Sequence, residues 1–311
     1  MSGPRPGGDG PGLRELVEDI TRRLAVAGCA SPRSEATQLV AGVLEVELGE
    51  VHRLALLGRR LPPDLCTPLE GWVARREARE PLQHVLGRAH FAGLELEVGP
   101  GVFVPRPETE LLAERAAERV EEWATAEGPG PRPALELVDL CTGSGALVLG
   151  IAQRVQDRGR VPVDREIRLH AAEIDPVAAG FAGRNAERSG FTLDLRVRDA
   201  VGSFPELQGA VDLVVSNPPY VPAGAVPADP EVREHDPELA LYGGSEDGLA
   251  LPLALVDWAH RLLRPGGALL MEHDDTQGES LPSALQDRGW AGVRDHRDLA
   301  GRPRFVEAVR P

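Results

Sequence analysis

Between residues 135 and 273 the chain alternates short apolar runs with stretches of helical periodicity. It begins with LELVDL, turns at CTGSG and runs into the apolar helix pattern ALVLGIAQRV. RLHAAEIDP, TLDLRVRDA, VDLVVSNPPY and ALLMEH read as further strands, with VAAGFAGRNAERSG as a helix. Such alternation dictates a parallel, doubly wound α/β sheet, which places ligand sites at the carboxyl ends of the strands. WAGVRDHRD and RPRFVEAVR read as two closing strands, and no internal repeat interrupts the order.

What precedes this region is different in kind. Leu16, Val17, Ile20 and Leu24 recur at helical spacing, as do Ala36, Leu39, Val40, Val43 and Leu44. Further helical stretches cover 53–57 and 64–79, so residues 13–85 are expected to form a small helical bundle. A β-hairpin linker follows over 86–104, with Leu94, Leu96 and Val98 alternating, a turn at Gly99–Gly101, and a return through Val102 and Val104. The remaining 105–311 is expected to be the catalytic domain, opening with a helix from Pro107 to Ala126 and continuing past the Gly/Pro linker GPGPRP. The first dozen residues, MSGPRPGGDGPG, have no apolar periodicity and read as a disordered tail.

Several function classes are disfavoured. The start lacks the apolar core of a signal peptide and no apolar run is long enough to span a membrane, so a cytoplasmic location is expected. Cys29, Cys66 and Cys141 are odd in number and widely spaced, which suggests neither a disulfide framework nor a metal site. All 34 basic residues are arginine, which removes Schiff-base chemistry and the phosphate-loop lysine. The formal net charge is -15, and no basic stripe of the kind that grips a nucleic-acid backbone is visible.

Three stretches carry chemistry. In DLCTGSG (139–145) an acid ends the first strand and a glycine-rich turn opens the helix, where the backbone can approach a ligand and unpaired N–H groups are expected. Taken alone, the turn fits a dinucleotide, a nucleoside or no ligand at all. The third glycine of the dinucleotide fingerprint is replaced by Val148, which disfavours that ligand. Glu173 ends the second strand, where a carboxylate can accept both ribose hydroxyl protons, while Asp175 either competes for that role or caps the following helix. The third stretch is Asn217-Pro218-Pro219-Tyr220, at the end of the fourth strand. With only two asparagines and two tyrosines in the chain, chance would produce it about once in ten thousand such sequences.

Order and motifs together resemble the S-adenosylmethionine-dependent methyltransferases. Within that class Asn-Pro-Pro-Tyr is similar to the motif of enzymes that methylate a planar, conjugated nitrogen. Such a nitrogen has its lone pair delocalised, so a site must orient it and stabilise its pyramidal form. The Asn217 side-chain oxygen and the Pro218 carbonyl can accept its two protons; Pro219 stiffens the turn and Tyr220 can pack against the planar group. A rigid turn with Tyr220 in the core is the plainer alternative.

The stretches EPLQHVLGRAHFAGLELEVGPGVFVPRPETELL, LCTGSG, SNPPYVP, REHDPELALYGGSEDGL, LLRPGG and DLAGRPRFV together resemble the HemK/PrmC family of protein-(glutamine-N5) methyltransferases. The resemblance implies a Rossmann-like, seven-stranded methyltransferase domain behind an N-terminal helical substrate-recognition domain. It also implies S-adenosyl-L-methionine as cofactor and, as substrate and partner, the Gly-Gly-Gln glutamine of peptide chain release factors, with no stable nucleic-acid binding. By the same resemblance Cys141, Thr142, Gly143, Ser144 and Gly145 would hold the methionine part of the cofactor and Glu173 its ribose. Asp199 and Ala200 would lie beside the adenine, Phe103, Arg106 and Thr109 near the cofactor, and Asn217 to Tyr220 around the glutamine amide.

The alternatives are adenine-N6 methylation of nucleic acid, methylation of a ribosomal-protein glutamine, and a non-catalytic binder of translation factors. Cys141 stands where the family usually has glycine, which is tolerable if φ is negative. Glu173 replaces the commoner aspartate, and Ala200 replaces a larger apolar residue of some members. Loop 222–244 reads either as a lid or as an ordinary solvated loop.

Overall fold

A computed structural model describes residues 10–125, 134–162 and 164–311. The expected tail lies outside the described residues up to position 9, as does the GPGPRP linker. Residues 10–12 are ordered, which corrects the end of that tail. Gly12 bridges Arg60, and the Leu61 N–H donates to the Pro11 carbonyl at 2.9 Å.

By their internal contacts the residues fall into two compact units, one running up to Gly87 and including Ala228–His235, the other comprising Arg88–Pro227 and Asp236–Pro311. The first unit holds α1 (Leu13–Val26), α2 (Pro32–Leu44), α3 (Leu48–Leu56), α4 (Pro63–Glu77) and α5 (Leu82–Leu86). Ile20, Leu24, Leu39, Val40, Val51 and Val73, drawn from the helical repeats, close on one another as its core.

The second unit opens with a hairpin of β1 (Arg88–Phe91) and β2 (Leu94–Glu97). Its turn is at Ala92 and Gly93, not at 99–101. Val102 and Val104 are buried without forming a strand, so their alternation with Leu94, Leu96 and Val98 reports burial and not pairing. The chain continues through α6 (Thr109–Thr125), β3 (Ala134–Leu140), α7 (Ala146–Arg158), β4 (Glu166–Glu173), α8 (Pro176–Ser189), β5 (Leu193–Val197) and β6 (Val211–Ser216). After α9 (Pro230–His235), which groups with the first unit, come α10 (Ala250–Leu262), β7 (Leu263–Glu272), α11 (Ser280–Asp287), β8 (Ala291–Arg297) and β9 (Pro303–Val309).

These strands make the seven-stranded sheet that the resemblance implies, in the order β5-β4-β3-β6-β7-β9-β8. β5 to β7 are parallel, and β9 joins antiparallel to β7 and β8. The unbroken apolar runs are explained by burial on both faces. Leu137, Leu213, Val215 and Leu270 meet α6 and α7 on one side, while Val138, Leu140, Val214 and Met271 meet α10 on the other. Sequence order reverses direction between β3 and β6, which puts the crevice for a ligand at their carboxyl ends.

Candidate functional site

At that reversal Leu140 pairs with Ser216, whose hydroxyl donates to the Leu140 carbonyl at 2.5 Å. The glycine-rich turn and the Asn-Pro-Pro-Tyr segment therefore leave the sheet side by side. The turn is held from below. Cys141 and Thr142 N–H groups both donate to the Ala172 carbonyl, Gly143 N–H donates to Glu173 Oε2 at 2.8 Å, and Gly145 N–H donates to the Thr142 carbonyl.

The amides of Cys141, Thr142, Gly143 and Gly145 are thus committed within the protein, which corrects the expectation of an open row of donors. The carboxyl at the head of α7 is the protein's own: Asp139, fully buried, accepts a hydrogen bond from the Thr142 hydroxyl at 2.6 Å. Burial pushes its carboxyl up to about 7, against hydrogen bonds from Thr142 and the Val148 backbone. A diphosphate would need such amides free, so the turn suits a ligand without phosphate.

Cys141 has φ of 66°, in the left-handed region. The condition of negative φ is not met, and cysteine sits there in a conformation natural to glycine. Glu173 is buried, and its second oxygen accepts the Asp175 N–H at 3.0 Å. Burial raises its carboxyl above the ordinary range, against these backbone donors. Each oxygen keeps a lone pair for a hydroxyl. Asp175 is the helix cap and not a competitor: its side chain accepts from Val177 and Ala178 N–H.

The Arg198 N–H donates to the Glu173 carbonyl at 2.8 Å, which brings the exit of β5 against Glu173. Beyond it, exposed Asp199 folds its carboxylate onto the Val201 N–H, and Ala200 is buried. Ile174, Val177, Val197 and Val201 leave large apolar side chains exposed around these strand ends. An apolar rim beside a carboxylate that can take hydroxyls, over a turn with no phosphate cradle, fits an uncharged nucleoside such as that of S-adenosylmethionine.

Asn217 is half-buried and Pro218 and Pro219 are buried. The Asn217 Nδ2 donates to Thr109 Oγ1 at 3.4 Å, the Thr109 hydroxyl donates to Glu272 Oε2 at 2.6 Å, and the Tyr220 hydroxyl donates to Glu272 Oε1 at 3.1 Å. Tyr220 is fixed at its backbone too, since Gln277 Nε2 donates to its carbonyl at 3.0 Å. Gly248 passes so close that an added Cβ would lie 2.1 Å from that oxygen. Burial raises the Tyr220 phenol well above its usual range, and the Glu272 carboxylate adds to this.

Of the three residues from VFVPRPET, Thr109 reaches Asn217, while Phe103 and Arg106 meet each other. The Arg106 guanidinium lies 4.8 Å from the Phe103 ring centroid and donates to Asp236 Oδ2 at 2.6 Å. Sequence reasoning missed Glu272, although it is an acid ending a parallel strand, the rule that singled out Glu173. It also missed Asn185, whose side chain donates to the Ser144 and Glu97 carbonyls and accepts the Glu97 N–H, tying the glycine turn to the hairpin. A lone polar residue inside a helical pattern gives no signal.

Residues 15–87 match the PrmC N-terminal domain family. The chain is 49% identical to the release factor glutamine methyltransferase of Streptomyces coelicolor, over 94% of this chain and 96% of that one. It is 37% identical to the 4-amino-L-phenylalanine/4-methylamino-L-phenylalanine methyltransferase of Streptomyces pristinaespiralis, over 90% of this chain and 89% of that one. The fold is shared with a solved methyltransferase from Pyrococcus furiosus, with a TM-score of 0.50 and 20% identity over 76% of this chain and 98% of that one. The near-full-length likeness to the first of these relatives places this chain in the release factor glutamine methyltransferase family.

Proposed function

We propose that the chain transfers the methyl group of S-adenosylmethionine to the side-chain amide nitrogen of the glutamine in the Gly-Gly-Gln motif of peptide chain release factors. The observation that carries this is the near-full-length likeness to release factor glutamine methyltransferases, in a chain that holds Asn-Pro-Pro-Tyr at the reversal of its sheet. The cofactor, bound over residues 141–145 and Glu173, would supply an electrophilic methyl on a sulfonium.

The residues of the chain do the orienting. Glu173 takes the ribose hydroxyls, with Asp199 and Ala200 beside the base. Asn217 Oδ1 and the Pro218 carbonyl accept hydrogen bonds from the two amide N–H groups, so that the nitrogen lone pair faces the methyl group and the positive charge formed at nitrogen meets two acceptors until the surplus proton is lost to solvent. Pro219 fixes the direction of the turn, and the Tyr220 ring, anchored through its hydroxyl, walls the planar group. The N-terminal helical unit serves in recognising the release factor.

A second reading has a specific observation behind it. A relative named for methylating an aromatic amine is 37% identical over most of both chains, and an arylamine nitrogen has the same delocalised lone pair as an amide. Adenine-N6 methylation shares this chemistry, but the acidic chain has no basic target-recognition region.

The test is mass spectrometry after incubating enzyme and S-adenosylmethionine with four substrates in separate reactions. These are a full-length release factor, its variant with alanine for the Gly-Gly-Gln glutamine, 4-amino-L-phenylalanine, and duplex DNA. One added methyl on the first alone is expected. Methylated amine or DNA with an untouched release factor would overturn the reading.

A further inference from the structure

The geometry points to Glu272 as a positioning residue that, acting through Thr109, fixes which end of the Asn217 carboxamide faces the substrate nitrogen. A carboxamide presents an oxygen and an NH2 group on opposite sides, and only the oxygen can accept an amide proton from the substrate. Something must therefore decide which way Asn217 is turned. Its neighbour is the Thr109 hydroxyl, which has one proton to give and two lone pairs with which to accept.

That proton is committed. It goes to Glu272 Oε2 at 2.6 Å, and Glu272, ending β7, is 1% exposed; burial raises its carboxyl, while the hydrogen bonds from Thr109 and Tyr220 and the charge of Arg304 favour the ionised, accepting form. With its proton spent, Thr109 Oγ1 can only accept from Asn217, and it receives Nδ2–H at 3.4 Å. Turned the other way, Asn217 would set its oxygen against an oxygen with no proton left to offer. The Asn217 oxygen is thus directed away from Thr109, free for the substrate amide.

The other oxygen of Glu272 accepts the Tyr220 hydroxyl at 3.1 Å, so one buried carboxylate sets both side chains of the Asn-Pro-Pro-Tyr segment that flank the substrate nitrogen. The three contributors come from separate parts of the second unit: Thr109 opens α6, Asn217 follows β6 and Glu272 ends β7. Glu272 touches no substrate in this scheme, and its effect is on orientation.

The inference rests on the proposed placement of the substrate amide at Asn217, and its test separates the two. Full-length wild type, Thr109→Val, Thr109→Ser, Glu272→Gln and Asn217→Ala are compared for kcat, KM for release factor and cofactor, and thermal unfolding. Valine keeps the shape of threonine and removes the relay. Thr109→Val is expected to lose up to about a hundred-fold in kcat, the scale of a slightly misplaced reacting group, and to unfold at a lower temperature because buried Glu272 loses a donor. Glu272→Gln should fall similarly, because its NH2 group can supply Thr109 with a proton and reverse the relay. Thr109→Ser, which keeps the hydroxyl, should retain most of kcat. If Asn217→Ala is inactive while Thr109→Val keeps wild-type kcat, or if Thr109→Ser is as impaired as Thr109→Val, the relay is wrong and the substrate site stands. Full activity of Asn217→Ala would overturn both.

Discussion

Cys141 concentrates the residue-scale lesson of this molecule. At its φ of 66° an L side chain crowds the following carbonyl, a cost of about 1 kcal/mol that glycine avoids. Elsewhere, replacing alanine by glycine lowers stability, because glycine has more freedom to lose on folding. Here the order should invert. Cys141→Gly is expected to be more stable than Cys141→Ala by about 1 kcal/mol in urea unfolding, and the usual order would show that the backbone is not left-handed there. The sequence revealed that a small residue was wanted at 141 but not the sign of φ, because a torsion is set by what the turn must reach, in this case the Ala172 carbonyl. Asn217, Tyr220 and Glu173 were legible because each ends a strand pattern. Glu272 and Asn185 were not, since their partners Thr109, Ser144 and Glu97 are distant in sequence and only the folded chain brings them together.

At the scale of elements, the parallel strands were readable because burial on both faces writes them as continuous apolar runs. The hairpin was misplaced because Gly99-Pro100-Gly101 mimics a turn between alternating apolar residues, while the true turn, Ala92-Gly93, has a plainer signature. Nothing in the pattern showed how the antiparallel edge is fastened to α6. Glu307 on β9, 2% exposed, accepts hydrogen bonds from Arg115 and Arg119 on α6 and contacts His296 Nε2 at 2.9 Å. Burial alone would raise its carboxyl, but His296, Arg115 and Arg119 outweigh it and hold the group well below the usual carboxylate range. A folded-state value below the unfolded one contributes stability that is present above about pH 4 and lost as pH falls toward the folded value. Glu307→Gln should therefore cost about 1–3 kcal/mol at pH 7. Unfolding followed from pH 7 down to pH 3 should show the gap to wild type narrowing, and a gap independent of pH would contradict this account.

At the scale of the whole molecule, the first unit takes in Ala228–His235 as well as the residues up to Gly87. Loop 222–244 is tied at both ends. The Val221 N–H donates to the Leu241 carbonyl at 2.8 Å and the Ala223 N–H to the Ser245 carbonyl at 2.8 Å, while its middle, α9, counts with the helical unit. There Glu231 accepts hydrogen bonds from Arg76 and from both Nε and Nη2 of Arg79, and Arg76, 4% exposed, also holds Glu35. Glu231→Gln removes one anion from a buried guanidinium and should cost on the order of 3 kcal/mol. Hydrogen exchange in residues 228–235 should rise well above that of β3 to β6, and unchanged protection there would show that these ion pairs do not secure the segment.

This arrangement bears on heredity as well as on stability. A gene cut after codon 87 would encode a helical unit lacking the acid that Arg76 and Arg79 hold, and a remainder carrying an orphaned graft of its neighbour. Recombination could not trade the helical unit for another as a cassette. The helical unit and the eight residues Ala228–His235 must change together, because Arg76 and Arg79 rely on Glu231.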